Sequence, residues 1–372
     1  MKNYLQQITL KGFKTLRDIS NFKLGNLNVF IGPNGAGKSN FISFFRLLSW
    51  TLASPGNLQG HVGASGGASA LLFDGSENTR EIEAEFMLVT EAGLNKYSFR
   101  LGYASGDTFV YLDERCCFFR NFFRDDEGHG DPWIELGAGH QESKLIEKAL
   151  YDDTAKVILN LLRRITVYQF HNTSPTARIR NKWHVEDNRY LKEDAANIAP
   201  FLYRLQEKEP ASYFRIVETI RLVLPFFADF EFYPDNDRLL LSWREHKSDI
   251  VFNASQAGDG MLRVIALITL LLQPENNLPD VLILDEPELG LHPYAINIVG
   301  GLMSSISSKI QVIVATQSMP LIDCFDPEDI VVVDRHDRES GLKRLENEAL
   351  QEWLENYSLS ELWEKNVIEG RP

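Results

Sequence analysis

Apolar residues change their spacing along the chain, and the changes mark out its elements. Residues 3–10 alternate polar and apolar, the period of a strand with one buried face, and read as an edge strand closed by Gly12 and Phe13. Leu27 to Ile31 (LNVFI) is instead continuously apolar and short, as a strand buried on both faces is. It runs into GPNGAGKS and then NFISFFRLLSWTL, an apolar helix. Residues 54–76, rich in Gly, Ser and Ala, read as a loop. Three alternating segments between Glu81 and Arg120 predict an antiparallel meander. Residues 124–142 are charged and Gly-rich, a surface excursion. Lys144 to Arg164 reads as helix, Thr166 to Phe170 as strand, Asn188 to Leu224 as mostly helix broken at Pro200 and Pro210, and Phe230 to Trp243 as a hairpin around PDND. The last third returns to α/β character: helices over Met261 to Leu272 and Tyr294 to Ser308, and buried strands at VLIL (281–284), QVIVA (311–315) and IVVVD (330–334). Such strands suit a parallel sheet covered on both faces. The tail reads as acidic helix. No internal repeat or heptad run is present. Strands of α/β type at both ends predict a core assembled from both ends of the chain.

Composition narrows the class. The 372 residues are 44% hydrophobic and 24% charged, as in a folded globular chain. The net charge of −14 does not draw nucleic acid or anionic membrane through the overall field, so any such contact needs a local basic patch. Cys116, Cys117 and Cys324 form neither a disulfide framework nor a zinc spacing. The N-terminus lacks the apolar core of a signal peptide. The longest apolar run, Val264 to Leu272, is far short of a membrane helix. The expectation is a cytoplasmic protein with no membrane contact.

Two motifs carry chemistry. Gly32-Pro33-Asn34-Gly35-Ala36-Gly37-Lys38-Ser39 matches G-x-x-x-x-G-K-[ST] between a strand and a helix. Its glycines let the backbone of Asn34, Gly35, Ala36 and Gly37 wrap a phosphate, and the helix adds its positive end, with Asn40 in the first turn. Lys38 should reach the β- and γ-phosphates of ATP, and Ser39 should ligate Mg²⁺. The second motif is Val281 to Leu284 followed by Asp285-Glu286. Asp285 would hold Mg²⁺, directly or through water, and Glu286 would polarise the attacking water.

Asp285-Glu286-Pro287-Glu288 followed by Leu289-Gly290-Leu291-His292-Pro293 resembles the ABC-type ATPases of the SMC and RecF group. More closely it is similar to stand-alone bacterial AAA-family predicted ATPases, often associated with phage defence. ITLKGFKTLRD, SQAGDGMLRVIAL, VIVATQSMPLID and EWLENYSLSELWEKN agree, covering both ends of the chain strongly and the middle weakly. The resemblance implies an α/β fold, an ABC-type P-loop ATPase head: a mixed sheet core with an antiparallel β-meander and a helical insertion. Residues 1–120 and 251–372 would form the two halves of the core, and 121–250 the insertion. It also implies that two heads pair head to tail around two ATP molecules. Ser255, Asp259, Gly260 and Arg263 would then lie near the partner's γ-phosphate, Lys14 would contact phosphate, and Gln59 would be the glutamine that senses Mg²⁺.

Two positions depart from the group's pattern. Ala257-Gly258-Asp259-Gly260 stands where Leu-Ser-x-Gly is usual, so the serine hydroxyl is missing at Gly258. Gln317 follows the switch strand where many relatives carry histidine, and an amide cannot take a proton near neutral pH. Both predict slow turnover unless a partner completes the site. His292 and His171 read as structural or interface residues. Arg178, Arg180 and Lys182, beside Trp183, form the best basic patch: either a nucleic-acid contact or an ion-paired loop.

The resemblance thus implies an ATPase that works as a homo-oligomer and regulates a separate effector, a nuclease among the candidates, in anti-phage defence. Two alternatives stand beside it: a RecF-like ATPase acting on DNA in repair, and a scaffold whose nucleotide state restrains a toxic effector with little turnover. A transporter motor fits poorly without an intact Leu-Ser-Gly-Gly. The chain has no room for long coiled-coil arms. With so short a stretch after Asp334, the expectation is that no TOPRIM-type nuclease domain is fused and that any nuclease activity belongs to a partner.

Overall fold

The computed structural model describes residues 3–120 and 133–370. Among these, two six-stranded sheets carry the fold. The core sheet runs, from one edge to the other, Glu339–Arg344, Ile330–His336, Leu27–Ile31, Gln311–Ala315, Val281–Asp285 and Ile165–Tyr168. All neighbours are parallel except the first pair. Its strands come from both ends of the chain and, at one edge, from the middle. The expected continuous apolar runs are explained by what covers them. Leu282, Leu284, Val312 and Val314 face one core with the Asp259–Leu272, Pro293–Ser307 and Pro210–Val223 helices. Val281, Ile283, Ile313 and Ala315 face a second core.

That second core is built around the helix that follows the glycine loop, Lys38–Ala53. Its Phe41, Phe44 and Phe45 lie between the core sheet and the second sheet. The second sheet has the order Leu16–Lys23, Tyr4–Phe13, Glu81–Thr90, Gly93–Ala104, Thr108–Arg120 and Ile134–Glu135. Phe44 is fully buried, with ring centroids 5.3 Å from Phe13 and 6.0 Å from Phe86. Phe44→Ala should therefore cost about 3–5 kcal/mol of stability, read by chemical denaturation, because it opens a cavity under the loop helix.

Several expectations change. Tyr4–Phe13 is not an edge strand: Leu16–Lys23 hairpins back beside it through a turn at Lys14, φ 48°. Residues 54–76 contain two helices, Asn57–Ala64 and Ala68–Leu71, held by burial of Leu58, Val62 and Leu71 despite their glycines. Lys144 to Arg164 divides into Leu145–Lys148 and Asp153–Arg163, because Asp152 caps the second helix by accepting from the Ala155 N–H. Residues 188–197 are not helical, and Pro200 sits in the first turn of Ile198–Lys208, where a missing N–H costs little. Phe227–Phe230 pairs antiparallel with Ser242–Glu245 across the PDND segment. The excursion expected at 124–142 lies partly outside the described residues. Among the described residues, no helix is long and apolar enough to cross a membrane.

Candidate functional site

The carboxyl ends of Leu27–Ile31, Gln311–Ala315 and Val281–Asp285 lie side by side in the core sheet, so the residues that follow them converge. The loop after the first is Gly32 to Gly37. A Cβ on Gly37 (φ 118°) would lie 2.2 Å from Ser340 Oγ, and one on Gly32 (φ 153°) 2.1 Å from the Val333 carbonyl oxygen. Both must be glycine, because neighbouring chain packs directly against the loop. Ser340 Oγ donates to the Ala36 carbonyl, Arg335 Nη1 to the Gly35 carbonyl (3.2 Å), and Asn40 Nδ2 to Thr15 Oγ1 (2.7 Å). The loop is therefore shaped before any ligand arrives.

Lys38 is 4% exposed. Its Nζ donates to the carbonyls of Gly32 (2.5 Å) and Pro33 (3.1 Å), bending over the loop where a phosphate would be cradled. Burial pushes its pKa down; the carboxylates of Glu286, Asp285 and Glu288 push it back up. Ser39 is exposed at the start of the helix.

Asp285 ends its strand 7% exposed. Burial raises its carboxyl pKa, opposed first by Arg46. Oδ2 faces Gln169 Nε2 (3.4 Å) and Arg46 Nη2 (3.5 Å), while Oδ1 is buried without a hydrogen-bond partner. A buried carboxylate oxygen left unpaired is costly, and a cation would satisfy it. With a serine hydroxyl and phosphate oxygens, that donor set suits Mg²⁺, which takes few protein ligands. Among the described residues no cluster of three or more His, Cys, Asp or Glu side chains is arranged to hold a metal alone.

Glu286 follows with φ 42°, a sparsely populated backbone conformation, fixed by its N–H on the Ala315 carbonyl (2.8 Å). Its Oε1 accepts from Gln317 Nε2 (2.9 Å), and the same amide donates to Asn34 Oδ1 (2.7 Å). Gln317 thus bridges the phosphate loop and the candidate catalytic carboxylate. Glu288 holds it there: Oε1 accepts from Thr316 Oγ1 (2.5 Å) and the Gln317 N–H (3.4 Å). Burial raises the Glu288 carboxyl.

The remaining sequence candidates divide. Lys14 Nζ donates to Ser43 Oγ (3.0 Å) on the loop helix, and burial lowers its pKa. Gln59 requires correction. Its Nε2 donates to the carbonyls of Phe109 (2.9 Å) and Gln141 (2.8 Å), and its Oε1 accepts from the Phe109 N–H (3.4 Å). The amide is spent tying its helix to the meander. The glutamine beside the Asp285 carboxylate is Gln169, directly after the edge strand Ile165–Tyr168. Its sequence signal was an apolar strand ending in Gln next to His171. His171 is structural as expected: Nε2 donates to the Asp285 carbonyl (2.8 Å) and Nδ1 accepts from Gln169 (2.8 Å). His292 caps the Pro293–Ser307 helix.

Ser255, Gly258 and Asp259 are exposed at the start of the Asp259–Leu272 helix, with Gly260 partly buried. Arg263 is spent within the chain, donating to the carbonyls of Leu289 (2.7 Å) and His171 (2.9 Å). Arg180 also proves internal. At 9% side-chain exposure it donates to the carbonyls of Ala254, Ala257 and Thr173 and pairs with Asp259 (3.0 Å). It pins the turn before the helix and is not presented to a nucleic acid. Arg178 pairs with Asp194 (3.0 Å) and Lys182 with Asp235 (2.5 Å), so the basic patch is ion-paired. Arg180→Ala should speed amide hydrogen exchange across 253–259 while leaving the phosphate loop unchanged.

This arrangement coincides with a known family. The family model described as "AAA domain, putative AbiEii toxin, Type IV TA system" matches residues 27–323. The chain belongs to that AAA-domain family. The match opens on the strand before the phosphate loop and runs past Gln317, so it spans both motifs. Among solved structures, an SMC head bound to the C-winged helix domain of ScpA is similar over 94% of this chain and 99% of its own, at TM-score 0.60 and 16% identity. The Pyrococcus furiosus SMC head with an extended coiled coil, bound to the C-terminal domain of ScpA, gives 95%, 99%, 0.56 and 15%. At these identities the likeness establishes the fold alone: the α/β P-loop fold of an SMC head domain. No curated protein matches the chain.

Proposed function

We propose that this AAA-domain protein binds ATP with Mg²⁺ and hydrolyses it at a site shared between two copies of the chain. One observation carries the reading: Lys38, the Asn34–Gln317–Glu286 chain of hydrogen bonds and the unpaired Asp285 Oδ1 converge on one loop. The loop N–H groups and Lys38 would hold the β- and γ-phosphates. Ser39 and Asp285, with Gln169 beside them, would hold Mg²⁺, which when bound neutralises charge developing on the phosphates. Glu286 would take the proton of the attacking water, and Gln317 would orient it and lean toward the γ-phosphate. The exposed turn at Ser255, Gly258, Asp259 and Gly260 is open to a second copy's phosphates, where backbone N–H groups stand in for the missing serine. With Gly258 and Gln317 in these places, turnover by the chain alone falls below tens per second.

We further propose that the nucleotide state governs a separate effector in bacterial anti-phage defence. The family's description names a toxin of a toxin–antitoxin system, which supports a setting of that kind without identifying the effector. The ion pairing of Arg178, Arg180 and Lys182 favours a protein partner over nucleic acid. Sedimentation of Glu286→Gln tests the pairing: dimer with ATP and Mg²⁺, monomer with ADP. A monomer in both removes the shared site.

A further inference from the structure

The chemistry above leaves one charge at the site without a task. Arg46 follows Ser39 by seven residues, two turns of the same helix, so both lie on one face. That face is the helix's open stripe: Ser39, Ser43, Arg46 and Trp50 are not buried, whereas Phe41, Phe44 and Phe45 are. Arg46 Nη2 reaches Asp285 Oδ2 at 3.5 Å, a single long contact from a side chain 33% exposed to one 7% exposed. Glu193 lines the same groove as Arg46. Burial raises the Glu193 carboxyl, and the Arg46 charge opposes that. Arg46, Gln169 and Glu193 line one open groove of about 1000 Å³ along the edge strand Ile165–Tyr168. The guanidinium therefore contacts one carboxylate and shares an open groove with a second, with room to move along it.

We propose that Arg46 is a resident counter-ion for Asp285, which holds the buried carboxylate while no divalent cation is bound and moves along the groove to Glu193 when one is. The proposal rests on Asp285 being a Mg²⁺ ligand and adds a regulation of that site. Its logic is electrostatic. A carboxylate this buried needs a positive neighbour, yet two cations on one carboxylate repel each other. A partly exposed, single-contact ion pair is weak enough to be displaced. Asp285 Oδ1 is buried and has no hydrogen-bond partner for a new cation to displace, and Glu193 gives the displaced guanidinium a partner. Metal loading is thus opposed by Arg46 and assisted by Glu193.

The test is binding of Mn²⁺ alone to the nucleotide-free full chain, followed by electron paramagnetic resonance of the free ion. Arg46→Met should tighten Mn²⁺ binding by up to about fivefold, the scale of one weak ion pair. Glu193→Gln should weaken it severalfold; it leaves Arg46 in place and carries the same test should Arg46→Met fail to fold. Asp285→Asn should abolish the site. Unchanged or weaker binding in Arg46→Met, or unchanged binding in Glu193→Gln, while Asp285→Asn still abolishes it, overturns the counter-ion role and leaves the metal site standing. Binding indifferent to Asp285→Asn overturns both.

Discussion

Lys38→Ala abolishes ATP binding at concentrations that saturate the wild type, and thermal unfolding shows the protein still folded. The side chain is buried against the loop and, among the described residues, makes its hydrogen bonds only to the loop's own carbonyls of Gly32 and Pro33. Those carbonyls can turn to water when Lys38 is removed, so the fold loses little. The phosphates lose their only buried ammonium, among the described residues, at this loop. A charge-assisted hydrogen bond is worth about 1.5–3 kcal/mol, and Lys38 can donate to two phosphates at once. A loss of at least ~100-fold in affinity follows, read by titration calorimetry with ATP and Mg²⁺. Near-native affinity in this variant would place the nucleotide elsewhere.

Glu286→Gln has the opposite signature: ATP binds normally and is not consumed. The substitution keeps the shape of the side chain, and an amide oxygen still accepts the Gln317 Nε2 hydrogen bond now made at 2.9 Å. What it loses is the proton acceptor. General-base catalysis contributes typically ~10²–10⁴-fold, so single-turnover hydrolysis should fall within that range. Gln317 cannot replace the base, because an amide takes no proton near neutral pH. Glu288 cannot replace it either: Thr316 and the Gln317 N–H hold it against the switch strand.

The two chemical motifs were legible because each is local in sequence. A glycine loop between strand and helix, and an apolar strand ending in two carboxylates, need no knowledge of distant contacts. The continuous apolar strands gave away the parallel sheet for the same reason. What could not be read depended on pairing across the chain. Gln59 and Gln169 are both glutamines near element ends; only the pairing of Ile165–Tyr168 with Val281–Asp285 puts Gln169, and not Gln59, at Asp285. The helix Asn57–Ala64 was hidden because Gly60 and Gly63 are poor helix formers, and burial of Leu58 and Val62 overrides them. Arg180 looked like a surface cation because nothing in its neighbourhood announces the turn at 254–259 that it pins. Arg46 carried a faint signal, its seven-residue spacing from Ser39, but that spacing has meaning only once Asp285 is known to face the helix.

If ATP is held on the Gly32 to Ser39 loop and cleaved through Glu286, the bound nucleotide records it. The direct measurement is the state of the bound nucleotide after mixing ATP and Mg²⁺ with the wild type and with Glu286→Gln, quenched over time. ADP should accumulate on the wild type, and intact ATP should persist on Glu286→Gln. ADP appearing on Glu286→Gln at the wild-type rate would contradict cleavage through Glu286.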